Sequence, residues 1–576
     1  MKIAVLGGTG VFGSRIAELL VRDGHEVTVA ARDLDRAEAL AAKIGARAAR
    51  LDLRGDLGPL WQLDPGAVVD AAGPFHAYGD DPWRLARACI DRRIAYLDLS
   101  DEAAFCEGIA GLDVAAREAG VFALSGVSSV PALSSAVVAD LAAGMEEIEE
   151  IDTAILPGNR APRGRSVISA ILARTGVTFR MREGGAWVPR RGWSAPKSYT
   201  LAPGLRRRGY LIEVPDTRLF PARFGARSVS FRAGLELLPM NLGLAALSRV
   251  RGATGWTPGA RFGALVRGAA LLLWPFGTAR GGMVVRIAGR RGGALCRAEW
   301  RLLAEAGEGP FIPAVAARAI LRAPDRIAPG ARAALAELPL EAFEAAMADL
   351  RVTFARLEVP AASVVAGHLG PAGASLPPAV RATHDWAGSL RLEGRADVMR
   401  GRGPVAAIAA FLFGFPPGAH AVPLTVTKRA TDTGEVWERD FGGRIFRSHL
   451  ARAGEGITER FGPFTFSLGL EVRDGALRFP VIAGRFGPLP LPRALLPVSI
   501  AAETADARGR FRFDVDLRAP LGLGRIVRYT GWLTPVAEEP ALPPVAEGRL
   551  GQEDLRRGGR LRQNLSRKDA EIGPEH

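Results

Sequence analysis

Lys2-Ile3-Ala4-Val5-Leu6-Gly7-Gly8-Thr9-Gly10-Val11-Phe12-Gly13 opens the chain, and Ser14-Arg15-Ile16-Ala17-Glu18-Leu19-Leu20 follows at once. A short apolar strand runs into spaced glycines and then into an amphipathic helix. Glycines in such a turn let backbone amides approach a pyrophosphate at the positive end of a helix. A glycine triplet alone is a weak signal; the strand before it and the helix after it supply the context the motif needs. The residues expected around a dinucleotide are therefore Gly7, Gly8, Thr9, Gly10, Val11, Phe12 and Gly13.

The second strand pattern, 26–30, leads to Arg32 and not to an acid. Folds that prefer NAD usually place Asp or Glu there to bond the ribose hydroxyls. A guanidinium pairs instead with a 2′-phosphate, in a charge-assisted bond worth roughly 1.5–3 kcal/mol. NADP(H) is expected over NAD(H), with Arg32 as the selecting residue. The plainer alternative is one more surface arginine in an arginine-rich chain, and the neighbouring Asp33 and Asp35 complicate the choice.

The chain has 576 residues, enough for several domains, and 48% of them are apolar. Its net charge of +14 comes from 75 basic against 61 acidic residues, and only five of the basic ones are lysine. The arginines are scattered and aromatics are not interleaved with them, which argues against nucleic acid as a partner. An acidic membrane or an anionic substrate stays open. Cys89, Cys106 and Cys296 are odd in number and far apart, which fits a reducing cytoplasm and no disulfide framework. The first strand begins at residue 2, so no signal peptide is expected. The apolar runs 262–277 and 405–416 are too short to span a bilayer. They are expected to be core or pocket lining, with a membrane surface as the alternative. The expected location is the cytoplasm, or the periphery of the inner membrane. No pair of histidines has metal-ligand spacing, so no metal site is expected.

Along residues 1–125, strand and helix patterns alternate: strands at 2–6, 26–30, 67–71, 95–99 and 121–125, with helices such as 34–44 and 82–91 between them. That rhythm implies a parallel sheet with helices on both faces, and a ligand at the carboxyl ends of its strands. Residues 126–355 read as a mixed α+β domain, with a helix near 131–141, strands at 148–155 and 283–287, and helices at 312–322, 330–337 and 340–349. From 358 to 540 the pattern turns to β: Asp474-Gly475 forms a hairpin turn, and Phe511, Phe513, Val515 and Leu517 alternate with Arg512, Asp514 and Asp516. An antiparallel curved sheet or small barrel is expected there. The polar stretch 547–576 is expected to be disordered.

Three motifs in order, Gly7–Gly13, Val68-Val69-Asp70-Ala71-Ala72-Gly73-Pro74-Phe75 and Tyr96-Leu97-Asp98-Leu99-Ser100-Asp101-Glu102, resemble the saccharopine dehydrogenase-like family over roughly the first 355 residues. Tyr210-Leu211-Ile212-Glu213-Val214-Pro215-Asp216-Thr217 is similar to that family's second domain. Trp437–Arg444, Phe461–Phe464 and Tyr529–Leu533 resemble an uncharacterised domain often fused behind such a module. The resemblance implies a nicotinamide-dependent oxidoreductase; its members act on amino acid–keto acid adducts, polyamines and lipids, so it names no one substrate. It also implies a glycine-rich Pro-Gly turn after residue 125, where this chain has Val127-Ser128-Ser129-Val130-Pro131-Ala132.

Hydride chemistry resides in the cofactor; the protein adds position and a proton donor. The loop after the strand 67–71 lies where nicotinamide and substrate meet, so Ala72, Gly73 and Pro74 are expected at the cofactor and His76 or Tyr78 as the acid. Asp98 and Asp101 end the next strand and are candidates for orienting substrate or relaying a proton, with Asp98 equally readable as a turn-capping carboxylate, and Glu102 is a lesser candidate. Ser125 and Gly126 are candidates for close backbone approach. None of the five tyrosines has lysine four residues later, which excludes the Tyr-x-x-x-Lys mechanism of short-chain dehydrogenases. The expected partner is a small-molecule substrate, apolar or lipid-like from the two apolar runs; a homodimer is left open. Two alternatives stand beside the enzyme: a non-catalytic NADP-binding regulator, and a peripheral lipid-binding protein that uses the β-rich domain.

Overall fold

The computed structural model describes residues 1–162, 164–454, 456–540 and 542; the stretch 547–576 lies outside the described residues. Its first strands and helices are β1 (Lys2–Leu6), α1 (Val11–Arg22), β2 (Glu26–Ala31), α2 (Leu34–Ile44), β3 (Arg47–Arg50), β4 (Ala67–Asp70), β5 (Ala95–Asp98) and β6 (Phe122–Ser125). These strands form a parallel sheet in the order β6-β5-β4-β1-β2-β3, extended beyond β6 by a seventh strand, Gly330–Ala333. Both faces are covered. Ile3 and Val5 join the core that contains Ile16, Leu19 and Leu20 of α1, while Ala4 and Leu6 join the opposite core with Leu85 and Ile90 of the helix Arg84–Ile90. A strand buried on two sides must read as a continuous apolar run, as Ile3–Leu6 does.

The seventh strand corrects the helix expected at 330–337. Alanine-rich Gly330–Ala333 favours a helix locally, but pairing with β6 prevails. Gly330 takes φ +132°, its amide donates to the Val121 carbonyl (2.9 Å), and the Ala331 amide donates to Asp113 (2.9 Å).

A second sheet of seven strands is mixed. Its centre pairs Met145–Leu156 with Ser228–Ala233 in parallel and with Gly281–Arg291 antiparallel. The third sheet has thirteen strands, every neighbouring pair antiparallel, and holds its own core. The expected hairpin is there: Glu471–Arg473 pairs with Ala476–Arg478 around Asp474 and Gly475, both at positive φ. The third sheet is anchored on the second. Glu149 accepts from the amides of Ala387 (2.7 Å) and Gly388 (2.9 Å), and Arg286 of the second sheet pairs with Asp432 (3.2 Å).

The two apolar runs are core or pocket lining only in part: Ala409, Ala410 and Phe415 join the third sheet's core, Phe413 and Phe415 line its cavity, and Phe262 and Val266 pack against the first core. On the helix Ala260–Leu272 and the turn after it, Leu265, Leu271, Leu272 and Phe276 are exposed; on the helix Pro404–Phe413, Ile408, Phe411 and Leu412 are exposed. A short continuous apolar run has no periodicity to say which face is buried, and here each helix packs on one side only. Among the described residues, no helix is long and apolar enough to cross a membrane.

Candidate active site

The strand order places the topological switch point between β1 and β4, the crevice where a doubly wound sheet receives a dinucleotide. The turn after β1 and the loop after β4 meet there. Gly7 sits at φ +66°, and a Cβ on it would come within 2.5 Å of the Ala72 Cα. Gly10 precedes α1 without any side-chain cap, so the amides of the first turn, from Val11 to Gly13, face outward unclaimed by a side chain. Gly8 and Gly13 are buried, and their contribution is packing: a Cβ on Gly8 would meet Val29 at 2.8 Å, and one on Gly13 would meet the Gly7 carbonyl at 2.4 Å. Thr9, Val11, Phe12, Ala72, Gly73 and Pro74 are all partly exposed around this crevice. A tightly packed turn that leads uncapped amides to the start of α1 fits a pyrophosphate, which needs backbone amides at close range.

Arg32 follows β2 directly and is exposed, as is Arg36. Asp33 is otherwise engaged: its carboxylate accepts from the Arg36 amide (3.2 Å) as the N-cap of α2. Both guanidiniums lack an ion-pair partner among the described residues.

At the carboxyl ends of β4, β5 and β6 lies a buried polar row. Asp70 and Asp98 are register partners, both fully buried. Asp70 accepts from the Ala72 amide (3.0 Å) and from the Tyr78 hydroxyl, which reaches both of its oxygens at 3.0 Å. Asp98 accepts at one oxygen from the amides of Ser100 and Gly126 and from the Ser125 hydroxyl, each at 2.9 Å. Burial pushes Asp70 up to about 6 and Asp98 up to about 7, against the pull of those donors. Burial and the adjacent Asp70 carboxylate also raise the Tyr78 phenol, so it stays a donor. Tyr78 and Asp98, read from the sequence as chemical groups, are thus placed inside, where they hold the loops 71–79, 99–102 and 126–131. Ser125 and Gly126 do not offer backbone to a ligand. Their donors go to Asp98, and Gly126 lies so close under Pro131 that a Cβ would come within 2.5 Å of its ring.

His76, by contrast, is exposed and lines a pocket of about 230 Å³. Glu102, from the loop after β5, and Glu213 share that wall; Ala170, Ala173, Val177 and Phe179 supply an apolar side. Arg174, at the end of the helix Arg165–Arg174, also lines it. This guanidinium bonds Asp101 (2.7 Å), the Asp101 carbonyl (2.8 Å) and Glu102 (3.0 Å). Burial disfavours its charge, but the two carboxylates more than offset that and hold it cationic. Burial raises Glu213, and repulsion from Glu102 adds to the shift. The pocket therefore joins the cofactor sheet to the second sheet through one clamped arginine. Arg174 had no signal in the sequence; Glu213 stood in a motif noted for its resemblance alone.

Residues 3–124 match the family model of the saccharopine dehydrogenase NADP binding domain, and residues 376–533 match that of a domain of unknown function (DUF4166). Among solved structures, the chain is similar to apo histidine-tagged saccharopine dehydrogenase (L-Glu forming) from Saccharomyces cerevisiae, at 15% identity and TM-score 0.44, over 62% of this chain and 99% of that one. It is similar also to a probable dehydrogenase from Thermotoga maritima, at 10% identity and TM-score 0.31, over 60% of this chain and 93% of that one. No curated protein matches the chain. The match of residues 3–124 to a saccharopine dehydrogenase NADP binding domain supports an oxidoreductase, while the match of residues 376–533 names no activity.

Proposed function

We propose that the chain is an NADP(H)-dependent reductase acting on an apolar, lipid-like small molecule. The observation that carries this reading is the pocket beside the carboxyl ends of β4 and β5, where His76 and Glu102 face an apolar wall. The Gly7–Gly13 turn would hold the pyrophosphate of a bound dinucleotide and the loop 72–74 would lie at its nicotinamide, which would supply the hydride. The chain's own part is to orient the reacting carbon, exclude water and hold a proton. His76 is the titratable group best placed to give that proton to a reacting oxygen through its imidazole N–H, since Tyr78 is committed to Asp70. Arg174, clamped to Asp101 and Glu102, holds Glu102 in place in the pocket lining.

Unpaired Arg32 and Arg36 support NADP(H) over NAD(H). Replacing Arg32 by Ala is expected to weaken NADPH about 10- to 100-fold and leave NADH unchanged, the value of one charge-assisted bond. Parallel fluorescence titrations decide it; equal affinities of the parent for both cofactors would reverse the specificity.

His76→Ala is expected to lower kcat by about 100-fold or more at unchanged NADPH affinity, measured by NADPH consumption with a substrate found in a carbonyl screen. Tyr78→Phe should instead lower the melting temperature, through the donor lost to Asp70. Unchanged kcat in His76→Ala would remove the histidine from the chemistry. A regulator that only binds cofactor would show no turnover in the parent.

A further inference from the structure

We propose that the thirteen-stranded sheet docks on an anionic bilayer and takes a segment of one acyl chain of a membrane lipid into the cavity it encloses. This site is separate from the nucleotide crevice and does not depend on the proposed reaction. Strands from the two ends of the sheet order face one another across the cavity: Ile457 and Phe466 on one side, Val515 and Leu517 on the other, with Phe479 and Leu450 closing it. The cavity has a volume of about 150 Å³, that of a cavity known to hold benzene. It therefore takes a segment of one acyl chain, with the rest of the chain left in the bilayer.

The polar groups in the lining are internally matched. Arg439 pairs with Glu459 (3.2 Å) and donates to Ser448 (2.9 Å), and Glu503 pairs with His384 (2.7 Å). No charge is left over for a ligand head group in the interior, so the occupant of the interior is apolar.

The mouth has the opposite character. Phe413 lines the cavity at the end of the helix Pro404–Phe413, while Phe411 and Leu412 beside it point into solvent, 88% and 59% exposed. Phe413 packs on Phe464 (5.3 Å between centroids), and Phe464 packs on exposed Phe486 (4.9 Å). Leu489 continues that edge. Exposed Leu495 and Leu521 stand on two short helical turns, Arg493–Leu495 and Pro520–Gly522, that touch each other. The chain closes the circuit where Gly401 donates to the Ile526 carbonyl (3.0 Å) just before the first helix. An apolar rim thus surrounds an apolar cavity.

Charge identifies what the rim meets. Segments 401–424, 481–500 and 519–524 contain no Asp or Glu, yet they carry Arg402, Arg485 and Arg493. All three arginines are exposed and without an ion pair among the described residues. Unpaired arginines beside exposed Phe and Leu suit an anionic interface. Each basic residue near such a surface is worth about five-fold in binding.

The test uses the full-length protein and vesicles of phosphatidylglycerol and phosphatidylcholine, against phosphatidylcholine alone. The parent is expected to sediment with the anionic vesicles at least ten-fold more strongly, with the difference shrinking as salt rises. After the vesicles are removed, native mass spectrometry should show one retained phosphatidylglycerol. Phe411→Asp with Leu412→Asp should abolish sedimentation. Ala501→Trp, which fills the cavity from its wall, should keep sedimentation and lose the retained lipid; Ser499→Phe repeats this where the tryptophan variant does not fold. NADPH affinity should be unchanged in all of them, which separates this site from the reductase reading. Vesicle binding equal in the parent and the double aspartate variant would overturn the proposal. So would retention of lipid by both filled variants, or binding of free oleate with no vesicle binding.

Discussion

Gly7→Ala is expected to weaken NADPH binding by about 100-fold or more, and to do so for a reason that a second glycine can isolate. Gly7 holds φ +66°, and a Cβ there would lie 2.5 Å from the Ala72 Cα and 2.7 Å from the Ala71 carbonyl oxygen. The first feature costs roughly 1–3 kcal/mol of local strain in a side-chain-bearing residue. The second cannot be relieved by a rotamer, because the obstacle is backbone. The turn after β1 and the loop after β4 must separate, and they are the two walls of the crevice. Gly45, at φ +78° with nothing within 4 Å of its Cβ position, carries the strain without the obstacle. Gly45→Ala should therefore lower the melting temperature modestly and leave cofactor affinity untouched. Fluorescence titration of both variants makes the comparison; parental NADPH affinity in Gly7→Ala would dissociate this turn from the cofactor.

The second large effect is on stability as a function of pH. Asp98 is raised from 3.8 to about 7 by burial. A carboxyl with a raised folded-state pKa binds its proton more tightly in the native state than in the unfolded one. Its contribution is complete below about pH 4, the unfolded value, and is lost as pH climbs through 7. At about 1.4 kcal/mol per unit, the loss through Asp98 alone approaches 4 kcal/mol by pH 8. Asp98→Asn keeps an acceptor for Ser100, Ser125 and Gly126 but cannot ionise. The unfolding free energy of the variant minus that of the parent should rise between pH 4 and pH 8. Differencing removes the oppositely signed contributions of Asp23 and Glu183, whose arginine partners lower their pKa values. A difference that stays flat over this range would show that Asp98 is ionised in the folded protein throughout.

The cofactor crevice was legible because its physics is local. The turn Gly7–Gly13 needs small residues within a dozen positions, and five of the first six strands are short apolar runs broken by helices; β3, Arg47-Ala48-Ala49-Arg50, is no such run and was not read from the sequence. The pocket was not legible. Arg174 is joined to Asp101 and Glu102 across some seventy positions, and no periodicity relates them. Tyr78 and Asp98 carried the right atoms for acid–base work, but whether a strand-end carboxylate faces a ligand or the loops around it depends on packing that spacing does not encode. The exposed face of the helix Pro404–Phe413 and the strand Gly330–Ala333 were missed for one shared reason: local composition says what a segment can be, and its neighbours decide which face is covered.

That strand has a consequence for how the protein is made. On the ribosome, β6 leaves the tunnel roughly 200 residues ahead of its partner Gly330–Ala333. At about 5–20 residues per second, the sheet waits some 10–40 s with an apolar edge open. During that interval the nascent chain displays an unpaired strand of four buried-type residues, a template for pairing with any neighbouring chain on the same message. The N-terminal fifth of this protein is thus born needing protection until its own later sequence arrives to seal it.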